Sequence, residues 1–569
     1  MKTLSRMIFT ALLAAVCLFV ATPLSAQSET YMNALKALQE GDRAKAARLF
    51  TQEIASNPEN DAAYYYYASI LMGGRDNTDN AVIEKNLKKA LELSPDNYWY
   101  KYTLALFYQQ SDRPELCSRL LEELIASHPK KSSLYFDAAS AYLQQNDFDK
   151  ALESIDKIAA IGGKTEMIGI AKMDLLMKKG NGKEAYEFLE KYYEECKTPR
   201  LAAMLGDWYQ QTYRDSLALE RYTEAIDMDA TYSPAYYGRA HVYQTLRQYD
   251  NYFADIHKFI GDPQMAPEMK AEYINGLMEM PQFIMTFPQD VDSMMIEAHN
   301  AHPQDSALNS AISLYYYRTD RTHYAIELMR QNTELYPESY TLAFQYLLML
   351  YYSNSWRGVI DEATVILQKW PENHDALIVR GDAFRRMNEY ESAIHDYEAM
   401  AATAPKDSTT IIQTYPSLGD LYFQTGNVSK AFKCYEKALK YDPENSMVLN
   451  NYAYYMSLGK IKLKKAKEMS KKTIEKEPDN PTYLDTYAWI LHLMGDDVEA
   501  KAIFKHAMLY GGKEQPAILD HYAEVLFALK EYDLAYIYWN QAKAALNDPK
   551  EIEKIDKKLR ERHAQQDGK

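Results

Sequence analysis

Large apolar and small residues recur along this chain in a fixed order. Leu205-Gly206 is followed by Tyr209, then by Ala218, Tyr222 and Ala225. Arg380-Gly381 is followed by Phe384, Ala393 and Tyr397, and Tyr487-Ala488 by Leu491, Ala500, Phe504 and Ala507. The spacing predicts pairs of amphipathic helices that meet at a small residue, because a larger one there would overpack the contact. Short polar turns separate the two helices. At Gly41-Asp42, Gly426-Asn427 and Gly495-Asp496 the glycine is placed to end the first helix in a left-handed cap, and the Asp or Asn to cap the second. Proline ends the unit, since it cannot continue a helix. Pro303, Pro337, Pro371 and Pro405 stand 34 residues apart.

A period of 34 residues with this internal order resembles the tetratricopeptide repeat. The segment Ser417-Leu418-Gly419-Asp420-Leu421-Tyr422, then Gly426-Asn427, Ala431, Tyr435, Ala438 and Pro443, carries the resemblance most fully. It implies an all-α fold: an α-solenoid, a right-handed superhelix of about fourteen helix–turn–helix units with a C-terminal capping helix. Growth in one dimension suits 569 residues, too many for one compact domain. The expected organisation is a leader at 1–26, an N-terminal array at 27–263, a divergent repeat or joint at 264–305, a C-terminal array at 306–549, and a capping helix and tail at 550–569. A small insertion is expected around 73–76, a weak repeat near 166–198 and a short spacer at 408–411. The joint is expected to hold two helices around Pro263, Pro267, Pro281 and Pro288, with a methionine-rich surface.

The first 26 residues differ in kind. Lys2 and Arg6 precede an apolar run from Met7 to Ala21, then Pro23 and Leu24-Ser25-Ala26. This resembles a secretory signal peptide, with an uncleaved anchor as the alternative. Val16 before Cys17 departs from a bacterial lipobox. The final third, through Asn450-Asn451-Tyr452-Ala453, Leu484-Asp485-Thr486-Tyr487-Ala488-Trp489 and Leu519-Asp520-His521-Tyr522-Ala523, resembles the C-terminal block of large bacterial envelope proteins built from such repeats. The expected location is therefore the periplasm, or the periplasmic face of the outer membrane, of a Gram-negative bacterium. No second apolar stretch is long enough to span a membrane, so no anchor is expected after cleavage.

Charge and chemistry narrow the function. A net charge of −16 argues against a nucleic-acid stripe and against electrostatic docking to anionic lipid. Cys117, Cys196 and Cys434 are too widely spaced for a zinc site or a disulfide framework. His299 and His302 share a helical spacing but are too few for a closed metal site. No metalloprotease, phosphate-loop, dinucleotide or serine-nucleophile motif is present, so neither an enzyme nor a cofactor is expected.

The chain holds 49 tyrosines, some in runs such as 64–67 and 315–317. Successive helical residues point about 100° apart, so such runs cannot all face one core. In the resembled fold the first helices line the concave face. Register places Tyr65, Tyr102, Phe136, Tyr237, Tyr317, Phe344, Tyr351 and Trp489 toward it, with Asp207, Asp382, Arg385, Asp420, Asp485, His492, Asp520 and Glu524. Each has a packing or solvated-face alternative. Together they imply a groove for protein or peptide partners, possessed by an exported, non-enzymatic scaffold with a role in envelope assembly or secretion. Glycan binding in nutrient capture is the alternative, since aromatic rings also stack on sugars. Partner identity and oligomeric state stay open.

Overall fold

The computed structural model describes residues 28–73, 80–403 and 406–567. The expected leader, most of the 73–76 insertion and Pro405 lie outside the described residues. Within them all regular structure is helical: 32 α-helices and one 3₁₀ turn, Gly512–Glu514, with no strand. Fourteen repeats are two-helix units, from Glu29–Gln39 with Arg43–Ser56 to Pro516–Ala528 with Tyr532–Ala544. The divergent eighth repeat stands between the seventh and the ninth, and helix Pro549–Asp567 comes after the last.

Local chemistry sets these boundaries. The side chains of Asn60, Asn97, Asn373, Asn445 and Asn480 each accept a backbone N–H in the first turn of the next helix. Gly41, Gly426 and Gly495 lie in the left-handed region, at φ +83°, +80° and +87°. In other repeats Asp112, Asn146, Asn354 and Asn388 hold the same turn position at φ 57° to 61°. Asn and Asp tolerate that conformation better than most residues, so the turn recurs where no glycine announces it.

In each unit, large second-helix residues anchor the core. Phe50, Tyr222, Tyr435, Phe504 and Trp539 are fully buried, and each is the eighth residue of its helix. Glycine on the first helix makes room for several of the rings. A Cβ at Gly206 would stand 2.6 Å from the Tyr222 ring, and one at Gly419 2.5 Å from that of Tyr435. In two repeats a bidentate ion pair also locks first helix to second. Arg239 donates to Asp255 at 2.7 and 2.8 Å and to Thr223 at 3.0 Å. Arg380 repeats this with Asp396, at 2.8 and 2.6 Å, and with Thr364 at 3.0 Å. Cys117 and Cys434 are buried second-helix residues, and burial pushes their thiols up to about 12 and about 11.

Three sequence expectations need correction. The 264–305 stretch forms three helices, Pro267–Leu277, Pro281–Thr286 and Pro288–Ala301, each begun by a proline that the first turn accepts. Residues 408–411 are no spacer but the first turn of a long helix, Ser408–Gln424, capped by Asp407. The weak fifth repeat is a regular pair, Glu166–Lys178 and Gly182–Glu195, with Gly169 facing Tyr192.

The chain divides into two compact units. One holds residues up to Met265 together with Asp292–Glu297, and the other holds Ala266–Val291 and everything from Ala298 onward.

Candidate functional site

In the N-terminal unit the first helices of the third and fourth repeats, Tyr98–Gln110 and Ser132–Gln144, carry a half-open aromatic patch. The Tyr102 hydroxyl donates to Asp137 Oδ2 at 2.8 Å, bridging the two helices. Burial raises the Asp137 carboxyl, against the Tyr102 hydrogen bond. Tyr98 stacks on Tyr102 with centroids 5.7 Å apart, and Trp99 meets Tyr102 edge-on at 6.4 Å. The Lys131 ammonium lies 3.9 Å above the Tyr98 ring. Trp99 is 37% and Phe136 44% exposed, a large solvent-facing area for two such side chains. Of the aromatic candidates, Phe136 is the most open.

Other N-terminal candidates are packing residues. Tyr65 is buried, tilted against Tyr100 at 4.8 Å, and its oxygen accepts from Thr103 Oγ1 at 3.3 Å. Its assignment to a ligand face is corrected: the inter-repeat contact claims the ring. Tyr237 is half-buried between Phe259 at 4.4 Å and His241 at 4.5 Å. Asp207 accepts from Tyr222 at 2.7 Å, and burial raises its carboxyl.

In the C-terminal unit Tyr317 is half-buried, as is Phe344, which stacks on Tyr340 at 5.6 Å. Tyr351 donates to Asp382 at 2.6 Å. Asp382 also binds Arg385 and accepts from Arg386 at 2.8 Å. Burial works against its charge, yet Tyr351, Arg386 and Arg385 outweigh it and hold the carboxyl below the usual range. Asp420 accepts from Tyr435 and, at 3.3 Å, from Asn451, and burial raises it.

The last repeats gather most of the remaining candidates. His521 Nδ1 meets Asp485 Oδ1 at 2.8 Å, while its ring stacks on Trp489 at 4.2 Å. His492 also packs against Trp489, at 5.1 Å, and bonds Asp497 at 2.5 Å. Burial opposes a charge on His521, but Asp485, and then Asp520, keep its pKa above the ordinary value. The indole N–H of Trp489 is buried and has no partner among the described residues. Asp520 accepts from the indole of Trp539 at 2.8 Å and from Lys558 at 2.6 and 2.8 Å. Glu524 takes Arg562 at 2.7 Å and Lys558 at 3.1 Å.

This corrects the acidic-groove reading at its C-terminal end. Asp485 and Glu524 are buried, and Asp520 and Glu524 are neutralised by the helix Pro549–Asp567. Lys558 and Arg562 are four residues apart, so one face of that helix presents both cations. The same helix seats Ile555 in the core and stacks His563 on Tyr536 at 4.0 Å. It is more than a polar lid. Sequence reasoning missed Tyr98, Trp99, Lys131, Lys558, Arg562, His521 and Asn451, although a basic i, i+4 pair on a terminal helix after an acidic repeat is a usable signal.

Among the described residues no three His, Cys, Asp or Glu side chains are grouped to hold a metal ion, and no helix is long and apolar enough to cross a membrane. His299 bonds Asn309 at 2.9 Å, within its own packing. The candidate carboxylates are engaged by hydroxyls, amides, an imidazole, an indole or cations of the chain itself.

Residues 31–98, 102–164 and 417–445 match the tetratricopeptide-repeat family. The chain is similar to the DnaJ protein P58IPK homolog of Arabidopsis thaliana, at 24% identity over 261 residues, 44% of this chain and 48% of the relative. It is similar to the antiviral innate immune response effector IFIT1 of Homo sapiens, at 32% identity over 119 residues, 20% of this chain and 25% of the relative. It thus spans about half of the first relative's length and a quarter of the second's. A solved tetratricopeptide repeat protein from Parabacteroides merdae covers 44% of this chain and 96% of its own, with 15% identity and a TM-score of 0.38. The described residues form an all-helical array of paired helix–turn–helix units, within which residues 31–98, 102–164 and 417–445 are the segments that match the tetratricopeptide repeat.

Proposed function

We propose that this tetratricopeptide-repeat protein is an exported, non-catalytic scaffold that holds protein partners on the first-helix face of its N-terminal unit. Such arrays are typical protein–protein interaction scaffolds, and the family is generally non-catalytic. The observation that carries the proposal is the half-open patch of Tyr98, Trp99, Tyr102 and Phe136, with Lys131 over one ring. Aromatic residues that stay partly exposed while their neighbours fix their geometry bind at small entropic cost. Envelope assembly or secretion is the process in view, supported by the leader-like opening sequence.

Two experiments test it. Cell fractionation with N-terminal sequencing should find a processed chain in the periplasm, and an intact cytosolic chain would remove the export part. Affinity capture with the double variant Trp99→Ala/Phe136→Ala should lose partners that the parent chain retains. Unchanged capture by the folded variant would remove the binding part.

A further inference from the structure

The chain is acidic, yet its second helices in the twelfth and thirteenth repeats, Val428–Tyr441 and Leu463–Lys476, are not. Residues 428–476 hold twelve lysines against five Asp or Glu. The apolar stripe of each helix is buried, through Ala431, Cys434, Tyr435 and Ala438 in one and Ala466 and Met469 in the other. The lysines therefore occupy the outward side. Lys465 reaches Glu436 across the two helices at 3.6 Å, which sets them side by side. Lys430 lies 3.9 Å from Glu398 of the previous repeat and Lys467 4.0 Å from Glu499 of the next. Lys433, Lys440, Lys464 and Lys472 are exposed and have no ion-pair partner among the described residues.

A recess of about 380 Å³ opens at one end of this band. Its lining includes Tyr415, Tyr422, Leu418, Cys434 and Lys433, with Lys430 beside the carboxylate there, Glu398. Lys437 binds the Tyr415 hydroxyl at 2.7 Å and lies 4.0 Å above that ring. The combination is a recess with Tyr415 and Tyr422 in its lining, where Lys433 has no ion-pair partner among the described residues, on a pair of helices rich in exposed lysine.

We propose that this outer face docks an acidic linear segment of a partner protein, with one apolar side chain seated in the Tyr415–Tyr422 recess. Charge complementarity selects the occupant: on a strongly acidic molecule, unpaired lysines along the two helices that carry a recess favour an anionic chain with one hydrophobic anchor. The site is separate from the first-helix patch, so either reading stands if the other fails.

The test is fluorescence anisotropy with a labelled oligo-glutamate peptide bearing one central leucine. Saturable binding that weakens as salt rises is expected, because exposed charges are screened. The double variant Lys433→Glu/Lys472→Glu should bind about tenfold more weakly, two exposed charge reversals being of that order. The all-glutamate peptide should bind several-fold more weakly than the leucine peptide. Lys183→Glu, an exposed lysine of the other unit, and Phe136→Ala should leave affinity unchanged. Equal loss with Lys183→Glu, no saturable binding at low salt, equal affinity of the all-glutamate peptide, or binding to phosphatidylglycerol vesicles without binding to the peptide would each overturn the proposal.

Discussion

The two ends of this molecule use the same elements to opposite effect. In the third and fourth repeats, first-helix aromatics and an aspartate leave Trp99 and Phe136 facing solvent. In the last repeats the first-helix acids are closed off: Asp485 by His521, Asp520 by Trp539 and Lys558, Glu524 by Arg562 and Lys558. The difference comes from the next element along the chain. The following repeat brings the His521 imidazole onto Asp485, and the terminal helix brings two cations onto Asp520 and Glu524 of the repeat before it. Residue type on a first helix therefore does not by itself decide ligand access.

The largest expected effect lies at the closed end. Trp539 is fully buried, and its indole N–H holds Asp520. Trp539→Ala should cost about 4 kcal/mol, by the lost burial and the cavity left behind. Urea unfolding of the full chain should show the loss in the transition that reports the C-terminal unit. A loss below about 1 kcal/mol would mean that this end is loosely packed.

Next comes the terminal helix itself. The double variant Lys558→Ala/Arg562→Ala leaves Glu524 buried without its cations. Breaking a buried pair from one side typically costs about 3–5 kcal/mol, and the partial exposure of Lys558 and Arg562 scales this to about 2 kcal/mol. The double variant Asp520→Asn/Glu524→Gln, which removes the acids instead, should be milder. Thermal unfolding of the two variants separates charge pairing from simple packing.

The His521–Asp485 contact predicts a pH dependence with a definite sign. The folded-state pKa of His521 is raised, so the histidine binds its proton more tightly when folded than when unfolded. Its stabilisation is fully present below the ordinary histidine value near 6.5 and is lost as pH rises through the higher folded value. His521→Gln should flatten this part of the stability–pH profile, and an unaltered profile would remove His521 from the account. At the open end the effects on stability are smallest. Trp99→Ala and Phe136→Ala should each shift unfolding by less than about 0.5 kcal/mol, as exposed positions do.

Much of the fold is legible in the residues. Leu205-Gly206 with Tyr222, and Leu418-Gly419 with Tyr435, specify a first helix that admits a ring from the second, and the structure shows those contacts. The proline period and the Gly41, Gly426 and Gly495 turns place the boundaries. The three-helix eighth repeat was hidden because its prolines read as breaks, although each opens a helix. The extra turn at 408–411 was hidden because repeat arithmetic leaves it unassigned, while Asp407 caps it. The candidate face was only half legible. Register assigns Tyr65 and Phe136 alike to the first-helix face, yet Tyr65 is spent on Tyr100 and Thr103 while Phe136 stays open. That distinction depends on the neighbouring repeat. The pairing of Lys558 and Arg562 with Asp520 and Glu524 spans 38 residues and needs the fold to bring it together.

The most direct measurement places a photo-crosslinking residue at Phe136 in one strain and at Trp489 in another, and identifies the adducts formed in living cells. The account predicts recurring protein adducts from position 136 and few or none from position 489, where Trp489 packs against His521 and His492. Adducts confined to position 489, with none at 136, would contradict it.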